Sequence, residues 1–311
     1  MDIDQLRTFD RIVRDGSFTK AAARLAVTQA TVSMRVRALE DALGGLLFER
    51  GRKVRLTERG ATFLPYARRI LSTVLEGTDA IRGAERGRIA LATLRSLVRP
   101  LVSPVLVSFM AGHPMAEVVL SEGNHGDVAE RVHDRTVDLA IMGWPNLDPL
   151  LDELHPLAVF RERVVMTVAA DVAARLPASP TIEDVFAAVP HFLTLGWWQV
   201  LPDAVAGLRL RAPAASTMPG DAGLALIRAG TAVGYMPHTW IGADVAAGRL
   251  VAIEPVDGPS VSRDSALVAA RGSVADAPLT LELARRLVAR GAAEGMLHRA
   301  DPALSDAAQG V

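Results

Sequence analysis

Residues 18–60 constrain this chain most, because two helical patterns at a tight turn run directly into a short basic hairpin. Ahead of them Leu6, Phe9, Ile12 and Val13 recur at helical spacing over Asp4 to Arg14, and Asp15-Gly16 ends that pattern. Ser17 is a natural N-cap for a second helix that turns Phe18, Ala21, Ala22 and Leu25 inward. Thr28 can cap a third, from Gln29 to Leu43, that stops at Gly44-Gly45.

Val32, Val36, Leu39 and Leu43 put one face of the third helix against the first two. The opposite face carries Ala30, Met34, Arg37 and Asp41, with Thr31 and Ser33 on its flanks and Thr28 and Gln29 at its N-terminal end. Helices that read DNA present their N-terminal residues to base edges. Gln29, Ala30, Ser33 and Met34 are therefore candidates for reading, and Arg35 and Arg37 for phosphate or base contact. The competing reading is a solvated polar face on an ordinary helical domain. Against it stands the next segment, where Leu46-Leu47-Phe48 and Val54-Arg55-Leu56 flank a tip with four cations in six residues: Arg50, Arg52, Lys53 and Arg55. Two short strands around such a tip make a wing that can lie along a phosphate backbone.

The motifs then become specific. Gly16-Ser17-Phe18-Thr19-Lys20-Ala21-Ala22-Ala23-Arg24-Leu25, Thr28-Gln29, Val32-Ser33, Leu39-Glu40, Leu43-Gly44, Leu47-Phe48-Glu49-Arg50 and Leu56-Thr57-Glu58-Arg59-Gly60 follow one another at fixed spacing. This run resembles the N-terminal winged helix-turn-helix of LysR-type transcriptional regulators. The chain departs from that pattern at Ala30, where proline or serine is common, at Gly45-Leu46, and in a wing tip one residue shorter. These departures bear on base preference.

A chain of 311 residues is long enough for two or three domains with real cores. It has no cysteine, which excludes disulfides and thiolate chemistry. No apolar signal segment opens it and no apolar run is long enough to span a bilayer, so a soluble, cytoplasmic protein without a membrane partner is expected. The net charge of −1 hides a balance of +6 over residues 1–88 and −7 beyond them, which confines attraction for a polyanion to the front of the molecule.

From Glu58 to about Arg86, Leu64, Ala67, Leu71, Val74, Thr78 and Ile81 alternate steps of three and four. Such a seam on a long helix suits a partner helix, the alternative being packing on the chain's own C-terminal domain. Pro65 is expected to kink or delay the helix. Beyond Gly87, strands and helices alternate: Ile89–Thr93, Val98–Ala111, Glu117–Ser121, Gly126–Arg135 and Val137–Met142, then Val164–Ala169, Ile182–Ala188, His191–Leu195, Gly220–Ala229 and Ala232–Met236. That alternation implies two α/β lobes built on parallel sheets.

This second half resembles the LysR effector domain through Gly87-Arg88, Phe109, His113-Pro114, Glu122-Gly123-Asn124, Val137-Asp138-Leu139-Ala140-Ile141, Ile227-Arg228-Ala229-Gly230, Gly234-Tyr235-Met236-Pro237 and Gly248-Arg249-Leu250. The resemblance implies two lobes joined by crossing strands, like a periplasmic binding protein. It also implies a dimer through the connector and a tetramer as a pair of dimers. The expected organisation is a DNA-binding domain over 1–59, a linker and dimerisation helix over 60–87 and an effector domain over 88–311, with lobe I about 88–161 and 267–300 and lobe II about 162–266.

In open α/β sheets ligands sit beyond the carboxyl ends of strands. The loops so placed offer Thr93, Leu94, Arg95 and Ser96; Asn124 and His125; Met142 and Trp144; Thr194, Trp197 and Trp198; and Met218 and Asp221. Leu94 stands where the family often has a hydroxyl residue. Trp197 and Trp198 can line a ligand wall or fill the lobe core. Arg95 and the amides at the start of a helix favour an anionic group, pointing to a small organic acid, aromatic or not. Asp221 would repel an anion, which leaves an amine-bearing or neutral effector open.

Seven scattered histidines form no paired-ligand motif, and no phosphate loop or nucleophile elbow is present. No metal, cofactor or enzyme activity is expected. The chain reads as a regulator that binds double-stranded DNA as an oligomer and responds to a small-molecule effector. The alternatives are an architectural DNA-binding protein without effector, and a ligand-binding module or enzyme whose N-terminal helices serve only association.

Overall fold

In the computed structural model, residues 1–49, 51, 54–83, 87–148, 151, 154–270, 274 and 277–305 are described. The chain divides into two compact units, Met1–Glu85 and Arg86–Val311.

The first unit opens with α1 (Ile3–Asp15), one residue longer at each end than the expected Asp4 to Arg14. Asp2 caps it, accepting from the Gln5 N–H at 2.8 Å while Gln5 bonds back to the Asp2 N–H. Helix α2 (Phe18–Arg24) follows its Ser17 cap, and α3 (Gln29–Leu43) its Thr28 cap. Gly44 ends α3 at φ +72°, a left-handed conformation that glycine adopts without penalty. Arg59 donates to the carbonyls of Leu43 and Gly44 there, satisfying two of the helix's last acceptors.

Leu6, Phe9, Ile12, Val32, Val36 and Leu39 meet in one core, closed by Phe48 against Phe9 and Phe18. Phe48 comes from the hairpin, where it forms an isolated antiparallel bridge to Leu56. Glu40 fixes its base to α3 by accepting from the Leu47 N–H at 2.7 Å. At Gly60 an added Cβ would stand 2.1 Å from the Leu47 carbonyl oxygen, so only glycine lets the next helix approach this strand.

That helix, α4 (Glu58–Gly83), continues through Pro65. Its first half does not stand free as a seam. Ala67 is fully buried in the unit's own core, with Phe63, Leu64, Ile70 and Leu71 packed around it, and the Arg68 Nε donates to Asp10 at 2.8 Å. The connector is thus built into the helical domain over the stretch where Leu64, Ala67 and Leu71 were expected to face a partner. Val74 is 37% exposed, and the side chains of Thr78 and Ile81 lie outside the described residues.

The second unit holds a ten-stranded sheet ordered β2-β1-β3-β9-β4-β7-β5-β6, with β8 and β10 also on β4. Its strands are β1 (Arg88–Leu94), β2 (Glu117–Gly123), β3 (Leu139–Trp144), β4 (Pro156–Ala169), β5 (His191–Leu195), β6 (Ala214–Met218), β7 (Val233–Pro237), β8 (Leu250–Ile253), β9 (Val261–Ala269) and β10 (Leu297–Ala300). The helices are α5 (Arg95–Leu97), α6 (Ser103–Gly112), α7 (His125–His133), α8 (Ala170–Ala173), α9 (Ile182–Ala188), α10 (Asp203–Arg211), α11 (Gly220–Arg228), α12 (His238–Ala246), α13 (Pro278–Ala293) and α14 (Pro302–Ser305).

Parallel pairing holds within each lobe, β1 with β2 and β3, and β5 with β6 and β7. The sheet is not parallel throughout: β4 and β9 run antiparallel to each other and to the strands beside them. Both cross from one lobe to the other. Ala158 and Phe160 of β4 lie in the first lobe's core, and Val164 to Ala169 in the second's. Between α5 and α6 a π-helical turn (Val98–Val102) replaces the expected unbroken helix, because Pro100 has no N–H for the α-helical ladder.

Candidate functional site

Two groups of residues bear on function, one in each unit. On α3, Gln29, Ala30, Ser33, Met34 and Arg37 are all exposed, Met34 at 65%. Thr28 and Thr31 are occupied with the cap: the Thr31 N–H donates to the Thr28 Oγ1 at 3.1 Å and their hydroxyls lie 2.8 Å apart. Arg35 departs from expectation. Its Nη2 donates to Asp4 Oδ2 at 2.7 Å and its Nη1 reaches the Thr8 hydroxyl at 3.5 Å, so the guanidinium turns back onto α1. In the hairpin Arg55 is exposed, whereas Arg50, Arg52 and Lys53 lie outside the described residues.

In the second unit the turn after β1 is less open than expected. Thr93, Leu94, Ser96 and Met142 are all buried, and the Thr93 hydroxyl donates to the Leu94 carbonyl at 3.4 Å. Arg95 is exposed and its Nε donates to Glu122 at 3.0 Å. The cause is register: β1 and β2 pair Thr93 with Glu122, which puts the carboxylate beside the turn. Asn124 spends its side-chain oxygen capping α7, accepting from the Asp127 N–H at 3.1 Å. Trp144 and Met218 are half-buried and Asp221 is exposed.

Polar groups instead concentrate where the lobes meet. His125, first residue of α7, donates from Nε2 to the carbonyl of Trp197 at 3.2 Å, joining one lobe to the other. Burial pushes its imidazole pKa below the ordinary value. An added Cβ on Gly143 would come within 2.4 Å of both His125 Nδ1 and Gln199 Oε1, so glycine lets these two groups close on β3. Trp197 packs its ring into the second lobe's core: it is 8% exposed and stacked on Trp198 at 3.9 Å between ring centroids.

Over the Trp197 ring, 5.0 Å from its centroid, lies the guanidinium of Arg263. Arg263 is 10% exposed and donates from Nε to Glu162 at 2.6 Å; Glu162 also accepts from the Thr239 hydroxyl. Among the described residues, His125 Nδ1, Thr194 Oγ1, Trp197 Nε1 and Arg263 Nη1 are buried without a hydrogen-bond partner. Trp197 and Arg263 bring only donors, Thr194 can do either, and His125 Nδ1 is an acceptor in the neutral ring. Buried polar atoms of this kind are costly unless something polar meets them. Gln199 ends the loop from Thr194 that was expected beyond a strand end, whereas Arg263, Glu162 and Thr239 were not legible as site residues.

Residues 3–61 match the family model described as a bacterial regulatory helix-turn-helix protein of the lysR family, and residues 82–292 match the LysR substrate binding domain. The chain belongs to the LysR family. The regulator CfxR of Cupriavidus necator is 36% identical over 164 residues, 50% of this chain and 51% of CfxR. The chain thus spans about half the length of the curated relatives it matches. Among solved structures, CbnR, a LysR family transcriptional regulator, has a TM-score of 0.53 at 23% identity over 94% of this chain and 99% of its own. Full-length CbnR with its target DNA gives 0.50 at 24% identity over 92% and 100%. These two structures show the LysR fold over both units. No helix among the described residues of this LysR chain is long and apolar enough to cross a membrane.

Proposed function

We propose that this LysR chain is a transcription regulator that binds double-stranded DNA through α3 and the hairpin, and that a small molecule between the lobes changes its grip. The observation that carries the reading is the exposed start of α3, where Gln29, Ala30, Ser33 and Met34 all face away from the domain's core. A protruding face of this kind fits the major groove. CbnR, with the same fold, has been solved on its target DNA.

The second function follows from the atoms at the lobe junction. Trp197 Nε1, Arg263 Nη1 and Thr194 Oγ1 favour a ligand rich in acceptors, which supports a small organic acid. The protein acts as a binding protein in the cytoplasm, without catalytic turnover or cofactor, and associates through the far half of α4 as a homodimer and, by pairing of dimers, a homotetramer.

The test uses the full chain. Genomic fragments retained by the protein should reduce to one discrete operator with strongly salt-dependent affinity, and small carboxylates screened by thermal shift should yield a hit that alters operator binding. Retention of every fragment alike, with no hit, would indicate an architectural protein. No DNA retention at all would overturn the reading.

A further inference from the structure

The ion pair between Asp4 and Arg35 spans 31 positions of sequence and ties the start of α1 to the middle of α3. It borders a surface groove of about 540 Å³ whose lining includes Asp2, Asp4, Gln5, Met34 and Arg35. Met34, one residue from Arg35, is 65% exposed on the face assigned to DNA, whereas Arg35 is only 24% exposed. A cation on a recognition helix is ordinarily a gain for any DNA, because each phosphate it neutralises releases condensed counterions whatever the sequence. Here that cation is matched by a carboxylate at 2.7 Å, and Arg7, the other cation at the groove, lies 3.8 Å from the same carboxylate.

We propose that Asp4 is a specificity-determining residue: by holding Arg35 against α1 it withholds a positive charge from the DNA backbone and so lowers affinity for arbitrary duplex, leaving discrimination to the uncharged residues at the start of α3. The proposal rests on the DNA-binding reading above. It differs from a purely structural role for the pair, because a structural bridge would show in stability and not in the salt dependence of binding.

The experiment compares the full chain with Asp4→Asn, Arg35→Gln and the double variant on a short random-sequence duplex, by anisotropy over about 50 to 200 mM salt. Asp4→Asn should steepen the slope of log affinity against log salt by about 0.9, one additional phosphate, and bind about three times tighter at the low-salt end relative to the high. Arg35→Gln should leave the parent slope unchanged, and the double variant should lose the gain of Asp4→Asn, a coupling that a general drop in negative charge would not produce. Thermal unfolding of each variant establishes that the fold is retained. A flatter slope for Arg35→Gln would mean that Arg35 already touches phosphate, and a gain that survives in the double variant would mean that the pair is not its source. Either outcome overturns the proposal while DNA binding stands; a parent chain that binds no duplex overturns the DNA-binding reading as well.

Discussion

Glu162 and Arg263 stand directly opposite each other on β4 and β9, where both strands pass from one lobe to the other, and both are almost fully buried. Their neighbours in the same ladder, Arg161 and Asp264, form a two-pronged pair on the solvent side at 2.8 and 2.7 Å. The crossing is therefore polar on both faces, but the two pairs differ in consequence. Glu162→Gln would leave the Arg263 charge buried without a counterion, and should cost about 3 to 5 kcal/mol in denaturant unfolding. Arg161→Gln, at the exposed pair, should shift the midpoint far less.

A second prediction concerns pH. Burial lowers the pKa of His125 below the value of about 6.5 that the unfolded chain has, so the unfolded state binds more protons in the window below that value. Protonation keeps the bond from Nε2 to Trp197 but adds a buried N–H at Nδ1 with no acceptor. Stability should be fully present above about pH 6.5 and fall as pH drops toward the lowered folded pKa. His125→Gln should show a shallower decline of Tm over the same acid range; parallel curves would remove His125 as the cause.

At the surface proposed to face DNA, Gln29→Ala should cost about 1 to 3 kcal/mol on the operator and relax preference at one base pair, because an amide reads adenine with two hydrogen bonds. Binding to random duplex should be unaffected. Equal loss on both sequences would make Gln29 a phosphate ligand.

Association is best tested at Val74. Leu71 packs on the helical domain's own core, so a charge there would damage folding as well as assembly. Val74→Glu avoids that core and should shift sedimentation toward monomer with little change in Tm. Unchanged sedimentation would move the interface off this part of α4.

Legibility in the sequence followed the range of the interactions. Caps and apolar periods are local, so α3, α9 and β5 have the limits that the Thr28 cap and the runs Ile182–Ala188 and His191–Leu195 indicate. The strand β6 was invisible because Ala214-Ala215-Ser216-Thr217-Met218 has little strand character of its own and is held by pairing with β5. At the lobe junction His125, Thr194 and Trp197 were named from their loops, and the residues that were missed or misread depend on distant partners in the same way. Arg263 takes its meaning from Glu162, 101 positions away, and Arg95 is diverted by a carboxylate that only β-sheet register brings alongside.

The burial of Ala67 also says how movement can travel within the helical unit. Its methyl group is packed in the core that α4 shares with α1 and α3, and the bond from Arg68 to Asp10 ties the next residue to α1, so sliding or rolling α4 would break both contacts. A helix of 26 residues is about 39 Å long, so it acts as a lever arm welded to the reading head. A tilt of its far end would therefore carry α3 with it as one rigid piece, so in the proposed dimer a small angular change where two such helices meet would be delivered to both helical domains undiminished.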